Sequence, residues 1–419
     1  MRASALLTAL LLACSAASAE WYKGVTHVHS LWSDGDMAPE LIADWYKSRG
    51  YDFIAFSDHN TLQVGEKWAP MGGRAVLQPE HLGLFGALAP EFPEFEPRIR
   101  VLEGGYVQMR LMTHDELAEM FNERGEFLLI PGEEMTAIGA KVHTNVINVR
   151  EPITGIDEGT KSEVLEAQLQ AVERQSEKHK VPMVAHLNHM NWNDGVTVEE
   201  ALGAPSLRFF EVYNGHPWTH PWGRAEDGMP SSDEAWDIMQ STRLNADPEA
   251  PLLYGVATDD SHEYHEWGLK RVNPGRGWVM VQANRLDAEA LMRSMQDGAF
   301  YSTTGVLIDR IEKTRRELRV TIDAEDGVAY RTVFYGTRTG FDPASQPRLD
   351  DAGQPLPRAS RQYSPEVGAV LLETTDNPAV YQFQNDELYV RARIFTDKLQ
   401  DNPVAEGDTI TAWVQPVKP

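Results

Sequence analysis

The sequence predicts an α/β fold: a largely parallel sheet, open or closed into a barrel, followed by a smaller all-β unit. Three observations carry this expectation. Residues 20–305 alternate apolar strand-like runs with helix-like stretches, the pattern of βαβ units. In that part the apolar runs lead straight into His/Asp clusters, and the C-terminal ends of parallel strands are where α/β folds build their sites. Beyond residue 307 the helical period stops and a strand period continues alone.

Taken in order, the first strand is expected over Trp21 to Thr26, running into "HVHSLWSDGD". Ala38 to Arg49 reads as a helix, with Pro39 in its first turn and Gly50 as its stop. The strand Tyr51 to Ser57 runs into Asp58-His59. Residues 61–113, rich in Pro, Gly and acidic residues ("APEFPEFEP"), break the alternation and read as an insertion over the mouth of the sheet. Lys161 to Lys180 is an amphipathic helix stopped near Pro182, and the strand Pro182 to Ala185 ends on His186. "SLRFFEVYNG" is a further strand, and Ser231-Ser232-Asp233-Glu234 opens a helix with a capping-box pattern. Leu252 to Ala257 is a buried strand ending in "TDDSH"; "GWVMVQA" and the helix Asp287 to Gln296 complete the pattern. In 307–419, "ELRVTI", "TVFYG", "ELYVRARIFT" and "TITAWVQP" are strand-like, with Leu388, Val390, Ala392 and Ile394 alternating along one face. A small antiparallel β-sandwich-like domain follows from them.

The 419 residues, 42% of them apolar, suffice for two or three domains with a large core. Residues 1–19 read differently. Arg2, an apolar run from Ala5 to Ala13 and Ala17-Ser18-Ala19 form an export signal too short for a mature membrane span. A periplasmic or secreted protein is expected. Leu11-Leu12-Ala13-Cys14 also resembles a lipoprotein box, in which Cys14 would carry a lipid anchor. Cys14 is the only cysteine, so a chain cleaved after Ala19 has none and cannot form disulfides. The net charge of −25 repels polyanions and argues against a nucleic acid polymer as partner. A small anionic substrate would then need a local positive centre, which bound metal could supply.

Donors for such a centre are present. An H-x-H after a strand puts His27 and His29 on one face of the pleat. With them, Asp34, His59, Glu134, His143, His186, Asp260 and His262 make a set of nitrogen and oxygen donors without thiolate. Such ligands suit Zn, Mn or Fe and suffice for three divalent ions with one bridging carboxylate. Glu133 competes with Glu134, and Asp259 with Asp260. Asp58 and Asp259 are candidates for a catalytic role or for orienting imidazoles. His189, His216, Arg224 and Arg276 are candidates for substrate binding, and "HPWTHPW" at 216–222 reads as a rim loop able to stack on a ring.

"HVHSLWSDG", "FSDHN", "IPGEEMT" with His143 nine residues beyond Glu134, "VAHLNH" and "TDDSH" together resemble the successive motifs of the polymerase and histidinol phosphatase (PHP) family. They occur in the family's order across residues 24–305. The resemblance implies a distorted (β/α)7 TIM-like barrel, a trinuclear metal centre and phosphoesterase activity on a small phosphate mono- or diester. It selects Glu134 and Asp260 over their neighbours. It would place His27, His29 and Asp260 on one ion, Glu134, His143 and His186 on a second, and Asp34, His59 and His262 on a third. Clustered divalent ions activate water and offset charge on phosphate oxygens. Two other readings stay open: an amidohydrolase-like enzyme cleaving a non-phosphate bond, and a non-catalytic protein that binds through its C-terminal β domain.

Overall fold

Parallel pairing starts with the first strand, Glu20–Val25, which lies beside Phe53–Ala55, itself parallel to Leu128–Ile130. On its other edge Glu20–Val25 pairs antiparallel with Trp278–Ala283. From there one nine-stranded sheet continues through Phe300–Thr303, Thr409–Val417, Glu387–Leu399 and Tyr330–Arg338 to Ala369–Thr374. The computed structural model describes residues 19–70, 99–356 and 359–419. Residues 1–18, which hold Cys14 and most of the stretch read as an export signal, and the middle of the insertion lie outside the described residues.

A second sheet of five strands contains Gly132–Ala137, Val142–Ile147, Val184–Leu187, Phe209–Asn214 and Tyr254–Thr258 in that order. Its last three strands are parallel, whereas Gly132–Ala137 and Val142–Ile147 form an antiparallel hairpin. The chain is thus α/β, with a sheet less purely parallel than the alternation suggests. Bridges between Val28 and Ser261 and between His59 and Glu134 join the two sheets at the end where the His/Asp clusters lie. Further down, Phe53 and Ile130 from the first sheet share one core with Ile147, Val184, Phe209 and Val256 from the second.

The helices follow their capping signals. Thr160 caps Lys161–His179 in a capping box with Glu163, which satisfies two of the amides that a helix start leaves unpaired. Ser231 caps Ser232–Ala246 by accepting from the Glu234 amide, but the Glu234 carboxylate turns away to Arg348 at 2.7 Å, so only half of the expected box forms. What is described of the insertion is a three-stranded sheet of Trp68–Pro70, Ile99–Val101 and Val107–Arg110. Its base is anchored by the Trp32 indole, which donates to the Met112 carbonyl at 2.8 Å.

Among the described residues every regular element beyond residue 307 is a strand. Ile308–Lys313, Glu317–Ile322 and Ala379–Gln382 form a three-stranded antiparallel sheet. Its Leu318, Val320 and Ile322 share a core with Phe334, Val390 and Ile394 of the nine-stranded sheet. A buried polar network fastens this part to the helix Ser232–Ala246. Arg391, 1% exposed, lies 2.6 Å from Asp237 and 2.8 Å from Asp233, while the Tyr389 hydroxyl donates to Asp237. A buried guanidinium is tolerated only when its donors are met in this way. No helix among the described residues is long and apolar enough to cross a membrane.

One buried acid stands apart from all these networks. Glu40, in the first turn of Pro39–Lys47, is 2% exposed, its Oε2 makes no hydrogen bond, and burial pushes its pKa to about 7. Between about pH 4.5 and 7 the folded chain keeps a proton that the unfolded chain releases, so this group costs stability as pH rises. Glu40→Gln should therefore stabilise the protein at pH 8.5, by up to about 3 kcal/mol, and change little at pH 4.5. Urea unfolding at the two pH values checks this; an equal effect at both would show that Glu40 does not titrate as its burial demands.

Candidate metal centre

The site forms where the strands of both sheets end. His27 and His29 follow Glu20–Val25, His59 follows Phe53–Ala55, and Glu134 and His143 lie diagonally across the antiparallel hairpin, in the pairs Glu134–Asn145 and Thr136–His143. Asp260 and His262 follow Tyr254–Thr258. The turn after His29 is tight: a Cβ on Gly35 would stand 2.5 Å from the His29 carbonyl oxygen, so only glycine fits. Asp260 adopts a left-handed backbone conformation (φ 53°), which Asp tolerates better than most residues and which is held by its amide donating to the His27 carbonyl.

Glu134 is at the centre and is fully buried. Its Oε1 accepts from His143 Nδ1 at 2.8 Å and from the Asn188 amide at 2.9 Å. Its Oε2 makes no hydrogen bond, yet it lies 2.8 Å from His59 Nδ1, 3.3 Å from His29 Nε2 and 3.4 Å from His27 Nε2. Asp260 Oδ1 closes the same cluster, 3.1 Å from His27 Nε2 and 3.2 Å from His29 Nε2. On the outer side Asp34 Oδ1 lies 3.4 Å from His262 Nε2, 3.6 Å from His29 Nδ1 and 3.7 Å from His59 Nε2.

These donors suit a metal. Ligand atoms about 2.1 Å from a shared tetrahedral ion stand roughly 3.4 Å apart, close to the spacing seen here. Three groups of such atoms occur: His29, Asp34, His59 and His262; His27, His29 and Glu134; and His59, Glu134 and His143. The electrostatics agree. Burial works to raise the pKa of Glu134, but His59, His27 and His143 hold it well below the usual carboxylate range. Burial works against a charge on His27, yet Asp260, Glu211 and Glu134 keep its pKa well above the ordinary value. A pocket that stabilises positive charge so strongly would also stabilise a cation.

His186, expected beside Glu134 and His143, is not in these groups. Its strand runs on to Leu187, past the Ala185 end expected from sequence, so His186 sits inside the strand, below the site. Its Nδ1 is 3.6 Å from Glu211, neither ring nitrogen makes a hydrogen bond, and burial pushes its pKa to about 4. The histidine beyond the strand end is His189, whose Nε2 lies 3.8 Å from Glu134 Oε1 and 3.9 Å from Asp260 Oδ2.

The two carboxylates given a candidate catalytic role are also placed otherwise. Asp58 is fully buried and accepts from the Ser30 amide, the Ser30 and Ser33 hydroxyls and Gln63. Asp259 accepts from Tyr46 and from the amides of Gly275, Arg276 and Gly277. Both hold loops around the site; neither is free to touch a substrate. Arg276 is 1% exposed and its guanidinium donates to the carbonyls of Gly215, Gly268, Arg271 and Asn402, which leaves it no face for phosphate. Arg224 is 2.8 Å from Asp227 and does not line the site cavity. His216 does line it, and burial pushes its pKa to about 4.

No protein-family model matches the chain, and no curated protein matches it. Among solved structures it is similar to a two-domain protein from Bacteroides vulgatus described as containing a predicted PHP-like metal-dependent phosphoesterase. That likeness covers 96% of both chains at 14% identity and a TM-score of 0.40.

Glu211 is the residue that the sequence reading missed. It is a buried carboxylate on Phe209–Asn214, and His27 Nδ1 donates to its Oε1 at 2.6 Å. The His189 amide and the Asn214 side chain donate to Oε2. This fixes the His27 tautomer and turns Nε2 towards Glu134, the arrangement by which a carboxylate orients a ligating imidazole. Glu211→Gln should lower affinity for a divalent transition metal about 10- to 100-fold. Equilibrium dialysis against graded Mn or Zn measures it, and unchanged affinity would leave Glu211 a purely structural acid.

Proposed function

We propose that this chain is an exported metal-dependent phosphoesterase that hydrolyses a small phosphate mono- or diester. One observation carries the metal centre: buried imidazole nitrogens and carboxylate oxygens converge at ligand-like spacing around a Glu134 oxygen that no hydrogen bond satisfies. The phosphoester chemistry rests on the five sequence motifs that resemble the PHP family in their order. Three divalent ions are the loading that this donor set best supports, with Zn, Mn and Fe as the candidates. The amino-terminal signal supports export to the periplasm or beyond, with lipid attachment at Cys14 as the variant form.

His27, His29, Asp260 and Glu134 would hold one ion. Glu134 would reach a second with His143, and here His189 replaces His186 on the strength of its place beyond the strand end. Asp34, His59 and His262 would hold the third. When bound, such ions activate water and offset charge on the phosphoryl oxygens. The chain's own part is orientation. Glu211 sets the tautomer of His27, Asp58 fixes the Ser30–Ser33 turn beneath His29, and Asp259 holds the 275–277 segment against the end of the sheet. His216, neutral at neutral pH, adds no charge to the cavity. The shared core of both sheets and the bridges that join them support the distorted-barrel reading of 20–305, with 307–419 as the appended β domain.

Elemental analysis of dialysed protein should find about three equivalents of transition metal per chain. Loaded with Mn, the protein should turn over an aryl phosphate monoester or diester, and His189→Ala should lose far more activity than His186→Ala. Bound metal with no turnover of either ester would sink the phosphoesterase reading and turn attention to amide and carboxylic ester substrates.

A further inference from the structure

The cavity above the metal-ligand cluster has a composition that the proposed chemistry does not require. Its volume is about 290 Å³, at the small end for a ligand pocket. Two indoles line it, Trp192 and Trp218. Trp192 stands 5.2 Å, ring centre to ring centre, from both His143 and His189. Trp218 lies 5.0 Å from His216, which in turn borders His262 at 5.9 Å. Trp192 therefore flanks His143 and His189 directly, whereas Trp218 approaches the cluster through His216 and is 56% exposed. An indole this open leaves much of its ring uncovered, and a planar ring entering the cavity would cover it.

The charged lining is equally particular. No Lys or Arg among the described residues lines the cavity, and the candidate Arg276 is turned away into the protein. Glu263, at the wall, is already engaged by Arg271 at 3.3 Å and by the Val272 amide at 2.9 Å. A phosphoryl group would find its positive counterpart in the cluster floor. A second anionic group on the same substrate would find none.

We propose that the site takes an ester whose leaving group is a planar aromatic or heteroaromatic ring, stacked by Trp192 and Trp218, and whose negative charge is confined to the phosphoryl group. This deepens the phosphoesterase reading and rests on it. Stable phosphonates separate ring recognition from leaving-group reactivity. Calorimetric titration of the Mn-loaded full chain should find phenylphosphonate bound about tenfold more tightly than methylphosphonate. Trp192→Ala and Trp218→Ala should each shrink that ratio several-fold, and Trp218→Phe should keep most of it. A carboxylate added at the para position of the ring should weaken binding.

Equal affinity for the two phosphonates in the wild type, or a ratio that survives both alanine substitutions in folded protein, overturns the aromatic assignment. A para-carboxylate that binds as well as the parent ring overturns the charge assignment. If neither phosphonate binds the Mn-loaded protein, the phosphoesterase reading itself fails, an outcome distinct from the other two.

Discussion

An ionised carboxylate with no exposure to water is the constraint around which this molecule is organised. Glu134 lies at the meeting point of both sheets, where the cost of removing a charge from solvent is large unless opposite charge and hydrogen bonds surround it. Six imidazoles approach it or its neighbour Asp260. They come from five separate strands or the loops that follow them, so the tertiary fold is what places them within 4 Å of those two carboxylates. The same geometry that satisfies the charge of Glu134 concentrates nitrogen and oxygen lone pairs in one small space.

That concentration has to be held open, and a second layer of acids does so. Glu211 grips His27 from behind, Asp58 gathers the turn that carries His29, and Asp259 collects three successive backbone amides beside Asp260. None of these three is positioned to react. Each converts backbone or hydroxyl donors into rigidity at a place where the chain would otherwise be loop. The left-handed turn at Asp260 belongs with them, since its local strain is compensated by the bonds on either side.

Much of this was legible in the sequence because ligands cluster just beyond apolar runs, and apolar runs are easy to see. His27, His29, His59, Asp260 and His262 all follow from that rule. The misplacement of His186 has a simple origin. The apolar run "VPMVA" ends at Ala185, but the strand continues to Leu187 because His186 still pairs with Asn145, and Leu187 pairs with Thr144 on one side and Phe210 on the other. Two further residues of strand leave His186 inside the strand, and His189 is the histidine that lies beyond its end. Glu211 carried a signal that went unused: a single acid within "RFFEVYN", a strand buried along its whole length, has to be answered by a positive or hydrogen-bonding partner. Arg276 could not have been placed from sequence, because its carbonyl partners come from three separate segments, at 215, 268–271 and 402.

The C-terminal strands are more than an appendage to this site. Trp413, from the final strand, packs its ring 5.8 Å from Tyr213 and 6.4 Å from Trp222, the last tryptophan of the rim loop that carries His216 and Trp218. Arg393, held by Asp233, covers Trp222 at 4.9 Å. Asn402 reaches the other flank, donating to the Pro274 carbonyl and accepting from Arg276, so that it grips the segment that Asp259 collects. The loop that carries His216 and Trp218 and the segment that follows Val272 are thus both braced by residues beyond 390. A loop that must present an exposed indole at a fixed height cannot rely on its own packing. Because the sheet runs unbroken from Glu20–Val25 through Trp278–Ala283 and Phe300–Thr303 into Thr409–Val417, the brace belongs to the same sheet as the strand that leads into His27 and His29.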